Sequence, residues 1–132
     1  MSRKIQRMKR AAPILVPALV FGLAGCSGIG AERLDEAPPE LDGVASPEME
    51  PTVVWSDDGE SWLFLTFGSS SCPNEPRGLH ETGERAFEVT LESAGGWFCT
   101  ADVGPAIYRV PAPVSPGDPI TVDLGYGVIV TL

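Results

Sequence analysis

Lysine disappears from this 132-residue chain after position 9. From residue 26 onward the only cations are Arg33, Arg77, Arg85 and Arg109. They stand against all 18 acids, so residues 26–132 carry a net −14 where the whole chain carries −9. Such a charge repels phosphate backbones and anionic lipid, which argues against nucleic-acid binding and against a basic membrane-binding patch. The acidity is read as solubility rather than as a cation-binding device. Histidine occurs once, at His80, and cysteine three times, at 26, 72 and 99. That inventory is too thin for a zinc centre. With no Cys-x-x-Cys, no Gly-x-Ser-x-Gly and no phosphate-cradling glycine loop, no metal, no cofactor and no catalytic residue is assigned. No apolar run reaches the about 20 residues that a spanning helix needs. From residue 52 on, no helical period persists beyond a turn.

The longest apolar stretch, residues 11–25, is 15 residues long and interrupted by Pro13 and Pro17. It follows a basic head of Arg3, Lys4, Arg7, Lys9 and Arg10 that contains no acid, and it ends in Leu23-Ala24-Gly25-Cys26. Basic head, short apolar middle and small-residue cleavage site are the parts of an export signal. With the terminal cysteine, residues 1–26 resemble a bacterial lipoprotein signal peptide and its lipobox. The resemblance implies diacylglyceryl and palmitate attachment at Cys26 and removal of residues 1–25. It also implies residence on the extracytoplasmic face of the cell membrane. Each buried methylene contributes about 0.8 kcal/mol, so two or three acyl chains hold far better than one.

Residues 26–51 carry seven acids and four prolines, with no aromatic residue and no apolar period. Such a segment buries too little surface to offset its ordering entropy, and it is expected to be a disordered, acidic, Pro-rich tether. A short helix at residues 31–36 is the alternative. From Thr52 the composition changes, and residues 52–132 read as a small all-β domain. The expected architecture is an antiparallel sandwich, Ig-like or an open barrel. Strands are expected at 52–57, 60–67, 85–91, 97–101, 107–110, 120–124 and 127–132. The Asp58-Gly59 step favours a two-residue type I′ hairpin that sets Trp55 opposite Trp62. Asp57-x-Gly59-x-Ser61-Trp62 is similar to the core of an Asp-box, the hairpin turn of sialidases and related propellers. The leading serine is displaced, with Trp55 in its place and Ser56 one position late. No second copy occurs, so the match is a hairpin signal.

If Cys26 is lipidated, Cys72 and Cys99 remain as an even pair. In an extracytoplasmic domain the simplest reading is a disulfide, with a metal site or a reactive thiol as the alternatives. Closing a loop of this length is worth roughly 3.5 kcal/mol in the chain-entropy account, a large share for a domain this small. The segments Gly68-Ser69-Ser70-Ser71-Cys72-Pro73 and Cys99-Thr100-Ala101-Asp102, with Pro105, resemble a module of small secreted or lipid-anchored proteins of high-GC Gram-positive bacteria. That resemblance implies a disulfide-stapled β-domain and supplies no catalytic residue.

The remaining candidates are few. Asp57, Asp58 and Glu60 are weighed as a calcium cluster against solvated turn acids. His80 with Glu81 and Glu84, and the Ser69–Ser71 run, are weighed as acid–base and nucleophile candidates against exposed loop residues. Trp55 and Trp62 are the candidates for an exposed binding surface, whereas Trp97, beside Cys99, is expected in the core. The Pro-rich loop 111–119 is a further segment for presentation to a partner. The expected function is a non-catalytic, membrane-anchored binding or envelope-interaction module. It would touch the membrane through its lipid and an unidentified protein or glycan through its domain. The alternative is a small envelope hydrolase or enzyme accessory using His80 and nearby acids.

Overall fold

The computed structural model describes residues 28–44 and 48–132. Eight strands follow in order: β1 Glu32–Leu34, β2 Thr52–Trp55, β3 Ser61–Gly68, β4 Asn74–Gly83, β5 Ala86–Ser93, β6 Gly104–Pro111, β7 Thr121–Asp123 and β8 Ile129–Thr131. They make two four-stranded sheets, ordered β1-β6-β3-β2 and β4-β5-β7-β8. The all-β sandwich is as expected. Its second sheet is mixed, however, because β5 and β7 run parallel, with Phe87 opposite Val122. Cys26 and residues 1–25, expected to form an export signal, lie outside the described residues.

The inter-sheet core follows from period-2 alternation. Trp62 and Phe64 of β3, Phe87 and Val89 of β5, Tyr108 and Val110 of β6, and Val122 of β7 are buried in one cluster with Ile120 and Leu124. Trp62 sits at its centre. Trp55, Phe64 and Phe87 meet it edge-on, with ring centroids 5.9, 6.4 and 5.4 Å away. The expected Trp55–Trp62 register is present, but it serves the core. Trp62 is 0% exposed and Trp55 is half-buried against the cluster, so the pair is not the exposed surface expected of it. The indole Nε1 of Trp62 is buried without a hydrogen-bond partner among the described residues.

The turn joining β2 to β3 differs in type from the expected one. A type I′ turn requires positive φ at both central residues, and here only Gly59 has it, at 68°. The Gly59 N–H donates to the Ser56 carbonyl at 2.9 Å. The Ser56 hydroxyl donates to the Asp58 carboxylate at 2.6 Å, and that carboxylate accepts the Glu60 N–H at 2.9 Å. The carboxylate that shapes the turn is therefore that of Asp58, not Asp57. These bonds hold the Asp58 carboxyl below its ordinary range, the Ser56 hydroxyl contributing most and the Glu60 N–H next.

The segment expected to be a tether is, in its described part, folded onto the domain. β1 pairs with β6, Glu32 opposite Arg109 and Leu34 opposite Ile107. Ile29 and Ala31 pack against the core cluster. A 3₁₀ turn, Pro39–Leu41, buries Leu41, and the Glu40 carboxylate accepts the Asp57 N–H at 2.9 Å. Leu63 and Leu65, which alternate away from the core-facing Trp62 and Phe64, are buried as well. A few isolated apolar residues thus suffice to cover a sheet, with no period for a sequence reading to detect.

Replacing Trp62 tests the core directly. Trp62→Ala should cost about 3–5 kcal/mol of unfolding free energy in urea titration. Trp62→Phe should cost less than half of that, because it removes the unpartnered N–H along with the lost volume.

Candidate functional site

The two ends of the sandwich differ chemically. At one end lie the β2–β3 turn, the β4–β5 turn and the 111–120 connection, with exposed Asp57, Asp58, Glu60, Glu84 and Asp118. The other end carries residues 69–73 between β3 and β4, residues 94–103 between β5 and β6, and the 124–128 turn between β7 and β8. There the large exposed apolar side chains collect: Met49, Trp97, Phe98, Val103, Tyr126 and Ile129. Trp97 is 99% and Phe98 94% exposed.

The stretch expected as a strand at 97–101 is instead a loop, and covalent chemistry explains why. Cys99 is bonded to Cys72, with Cα atoms 5.4 Å apart. The Thr100 N–H donates to the Ser71 hydroxyl at 2.9 Å rather than to a ladder. Gly95 has φ of 141°, and a Cβ there would stand 2.8 Å from the Cys72 sulfur and 2.9 Å from the Ser71 carbonyl. Only glycine lets the chain pass that close. Trp97 and Phe98 then fall between the Gly95-Gly96 step and the anchored Cys99, aimed outward rather than into the core as Trp97 was expected to be. The sequence held one pointer to this: an aromatic pair wedged between two glycines and a bridged cysteine.

Hydroxyl groups set the geometry of this loop. The Thr100 hydroxyl lies 2.8 Å from that of Ser69 and 3.2 Å from those of Ser70 and Ser71. It donates in turn to the Asp102 carboxylate. The same carboxylate accepts the Ser70 N–H at 3.2 Å. The Ser70 hydroxyl, the Thr100 hydroxyl and the Ser70 N–H, in that order, draw the Asp102 carboxyl down from the ordinary 3.8 to about 2. The serine run is therefore a turn-bracing cluster facing an acid that stays charged down to about pH 2, which makes a poor proton acceptor near neutral pH.

The other sequence candidates are not brought together. His80 lies exposed on β4 opposite Glu88, and no side-chain hydrogen bond reaches it among the described residues. Six residues of extended strand, about 20 Å, separate it from Asn74 and the serine run beyond. Residues 74–83, which no expected strand covers and where His80 was read as a loop residue, form β4, with a register shift between Pro76 and Gly78 that accommodates the proline. The loop 111–119 is pinned: the Arg85 guanidinium donates to the Asp118 carbonyl at 2.6 and 3.0 Å and to the Ser115 carbonyl at 3.2 Å. Among the described residues no group of three His, Cys, Asp or Glu side chains is arranged to hold a metal ion. No helix among them is long and apolar enough to cross a membrane.

Behind the loops a cavity of about 300 Å³ opens between the sheets, lined by Met49, Pro51, Phe67, Leu91, Val128 and Tyr126 together with Glu50, Thr66 and Asn74.

The depressed Asp102 carboxyl has a signed consequence. Because the folded value lies below the unfolded one, its bonds to the serine loop stabilise the fold fully above about pH 4. That contribution is lost as pH falls through about 2. A ¹³C-carboxyl titration should place the Asp102 midpoint near 2, with Trp97 and Phe98 resonances shifting in step, and Asp102→Asn should abolish that step. Matching the chain against protein-family models, curated proteins and solved structures returned no match.

Proposed function

We propose that the chain is a lipid-anchored, extracytoplasmic binding module, held at the membrane through Cys26. It would engage a protein or glycan partner through the disulfide-closed loop that carries Trp97 and Phe98. The observation that carries this reading is the pair of adjacent aromatic rings, 99% and 94% exposed, on a loop braced by a disulfide and six hydroxyl and carboxylate contacts. Contiguous apolar surface left exposed on a folded protein marks interaction sites. A loop already ordered before binding avoids the entropy cost that a flexible one would meet on association. Trp side chains are the commonest energetic anchors of interfaces.

The anchor is close to the folded body. Cys26 lies two residues before Gly28, so no more than about 7 Å of backbone separates them. Ile29, one residue further, is already packed on the core. Lipid held that near restrains the domain at the membrane without a long leash.

Two measurements test the reading. Metabolic labelling with an alkyne-bearing palmitate analogue should mark the wild-type chain, and Cys26→Ser should lose the label while unlabelled precursor accumulates. Separately, co-sedimentation with isolated cell envelopes, measured after reconstitution into nanodiscs, should weaken at least tenfold in the Trp97→Ala/Phe98→Ala double variant. The melting temperature of that variant should stay within about 2 °C of wild type, since neither ring packs in the core. Unchanged envelope affinity would remove the aromatic loop from the proposal and leave the anchor standing.

A further inference from the structure

We propose that the cavity between the sheets is a binding site for an uncharged, mostly apolar small molecule of one or two rings, closed over by Met49 and Tyr126. The proposal depends neither on the lipid nor on the Trp97–Phe98 loop.

The first support is the chemistry of the walls. Five of the six large lining side chains, Met49, Pro51, Phe67, Leu91 and Val128, are apolar, and the sixth is the Tyr126 ring. The Thr66 hydroxyl and the Asn74 amide nitrogen on the lining are already engaged. The Thr66 hydroxyl donates to the Asn74 carbonyl at 2.6 Å. The Asn74 side-chain amide donates to the Phe67 carbonyl at 2.6 Å. Glu50, the one charged lining residue, is itself partnered within the protein, and its carboxylate disfavours an anion. A polar or negatively charged guest would therefore lose its hydration for little return. The volume, about 300 Å³, stands at the lower end of the about 300–1,000 Å³ typical of small-ligand sites.

The second support is the backbone at the mouth. Of the described non-glycine residues, three have positive φ, and two of these, Met49 at 55° and Tyr126 at 54°, line this cavity. The third, Arg85, is at the opposite end, where its hydrogen bonds to the 111–119 loop account for it. Tyr126 occupies the middle of a Gly125-Tyr126-Gly127 turn in which all three residues have positive φ, at 81°, 54° and 83°. The turn is closed by the Val128 N–H on the Gly125 carbonyl at 2.9 Å. Glycine or asparagine suits that backbone; tyrosine strains it. Yet the Tyr126 side chain is 100% exposed and recovers nothing by packing, and Met49 is 53% exposed. Two strained backbone sites thus present long, mostly apolar side chains at the rim of one apolar cavity. A guest would give those side chains the contacts they lack, and strain retained at such positions is found at ligand clamps.

The test uses the full chain in lipid nanodiscs, with ¹³C-methyl methionine as the label. Of its methionines, Met1, Met8 and Met49, only Met49 lines the site, and Met49→Leu assigns its signal. Titration with indole should give a saturable shift of the Met49 methyl resonance. Filling the cavity with Val128→Phe should remove saturation, and Tyr126→Asn should weaken it at least threefold. Tyr126→Asn should also melt no lower than wild type, because asparagine tolerates the turn that tyrosine strains. Indole dissolved in the bilayer affects wild type and variants alike, so it cannot mimic this pattern. The absence of a saturable Met49 shift in wild type, or equal saturation in all three proteins, overturns the proposal.

Discussion

Two of the connections in this fold cross from one sheet to the other at the same end of the molecule, and the Cys72–Cys99 bond ties them together. Residues 69–73 leave β3 in the first sheet for β4 in the second, and residues 94–103 return from β5 in the second to β6 in the first. Without the bridge, each crossing would be a surface loop free to separate from the other. With it, the two hydroxyl-rich segments are held in register, and the Ser69, Ser70, Ser71, Thr100 and Asp102 contacts become possible. The bond limits the unfolded ensemble, and in the folded state it fixes the direction in which Trp97 and Phe98 point. At the other end, the crossing from β6 to β7 has no covalent tie. The Arg85 guanidinium takes that role by capturing the Asp118 and Ser115 carbonyls.

The core is small, and one indole dominates it. Trp62 touches three aromatic neighbours edge-on and belongs to the strand that pairs with both β2 and β6. Its Nε1, unpartnered among the described residues, is tolerated because the ring's burial outweighs the desolvation of one N–H, each indole burying on the order of 200 Å². The segment before β2 enlarges the folded body beyond what residues 52–132 supply. β1 adds an edge strand to the first sheet, and Leu41 is buried in the segment that follows it. A domain that would be marginal at about 80 residues thus gains hydrophobic burial from a segment whose composition suggests a mere linker.

What could be read from the sequence, and what could not, divides by how much of each element is buried. β5 was legible because Phe87 and Val89 face the core while Glu88 and Thr90 face water, giving clean alternation. The β2–β3 pair was legible through the Asp58-Gly59 step and the facing tryptophans. β4 was not, because an edge strand needs only one good face and one good neighbour. Asn-Glu-Pro-Arg-Gly-Leu-His-Glu-Thr-Gly satisfies that demand while carrying proline and three turn-type residues. β1 is three residues long and supported by a neighbour far away in sequence. The exposed aromatic side chains were misplaced for a related reason. Hydrophobic residues are assigned to cores by default, and Trp55 and Trp62 on one side and Trp97 on the other exchanged places. Nothing local marks an indole as exposed; the decisive facts are a bridge 27 residues long in sequence and a glycine squeezed against its sulfur.

The exposed apolar residues would be unremarkable if they were scattered, since folded surfaces are about half apolar in any case. They are not scattered. The two sheets have four edge strands, β1, β2, β4 and β8; β1 and β4 carry charge, with Glu32 and Arg33 on one and Arg77 and Glu81 on the other, whereas β2 and β8 carry none. The turn end is defended by five exposed acids. Met49, Trp97, Phe98, Val103, Tyr126 and Ile129 lie toward the end where the backbone is either cross-linked or strained, in the company of the exposed carboxylates of Glu48, Glu50, Glu92 and Asp102. In the proposed binding role, apolar side chains gathered toward one end of a strongly acidic molecule would favour association there over surfaces that present hydrated carboxylates alone. Under that proposal the acidity, read as a solubility device, would have a second physical effect, because a hydrated acidic surface elsewhere would leave the apolar end as the favoured contact.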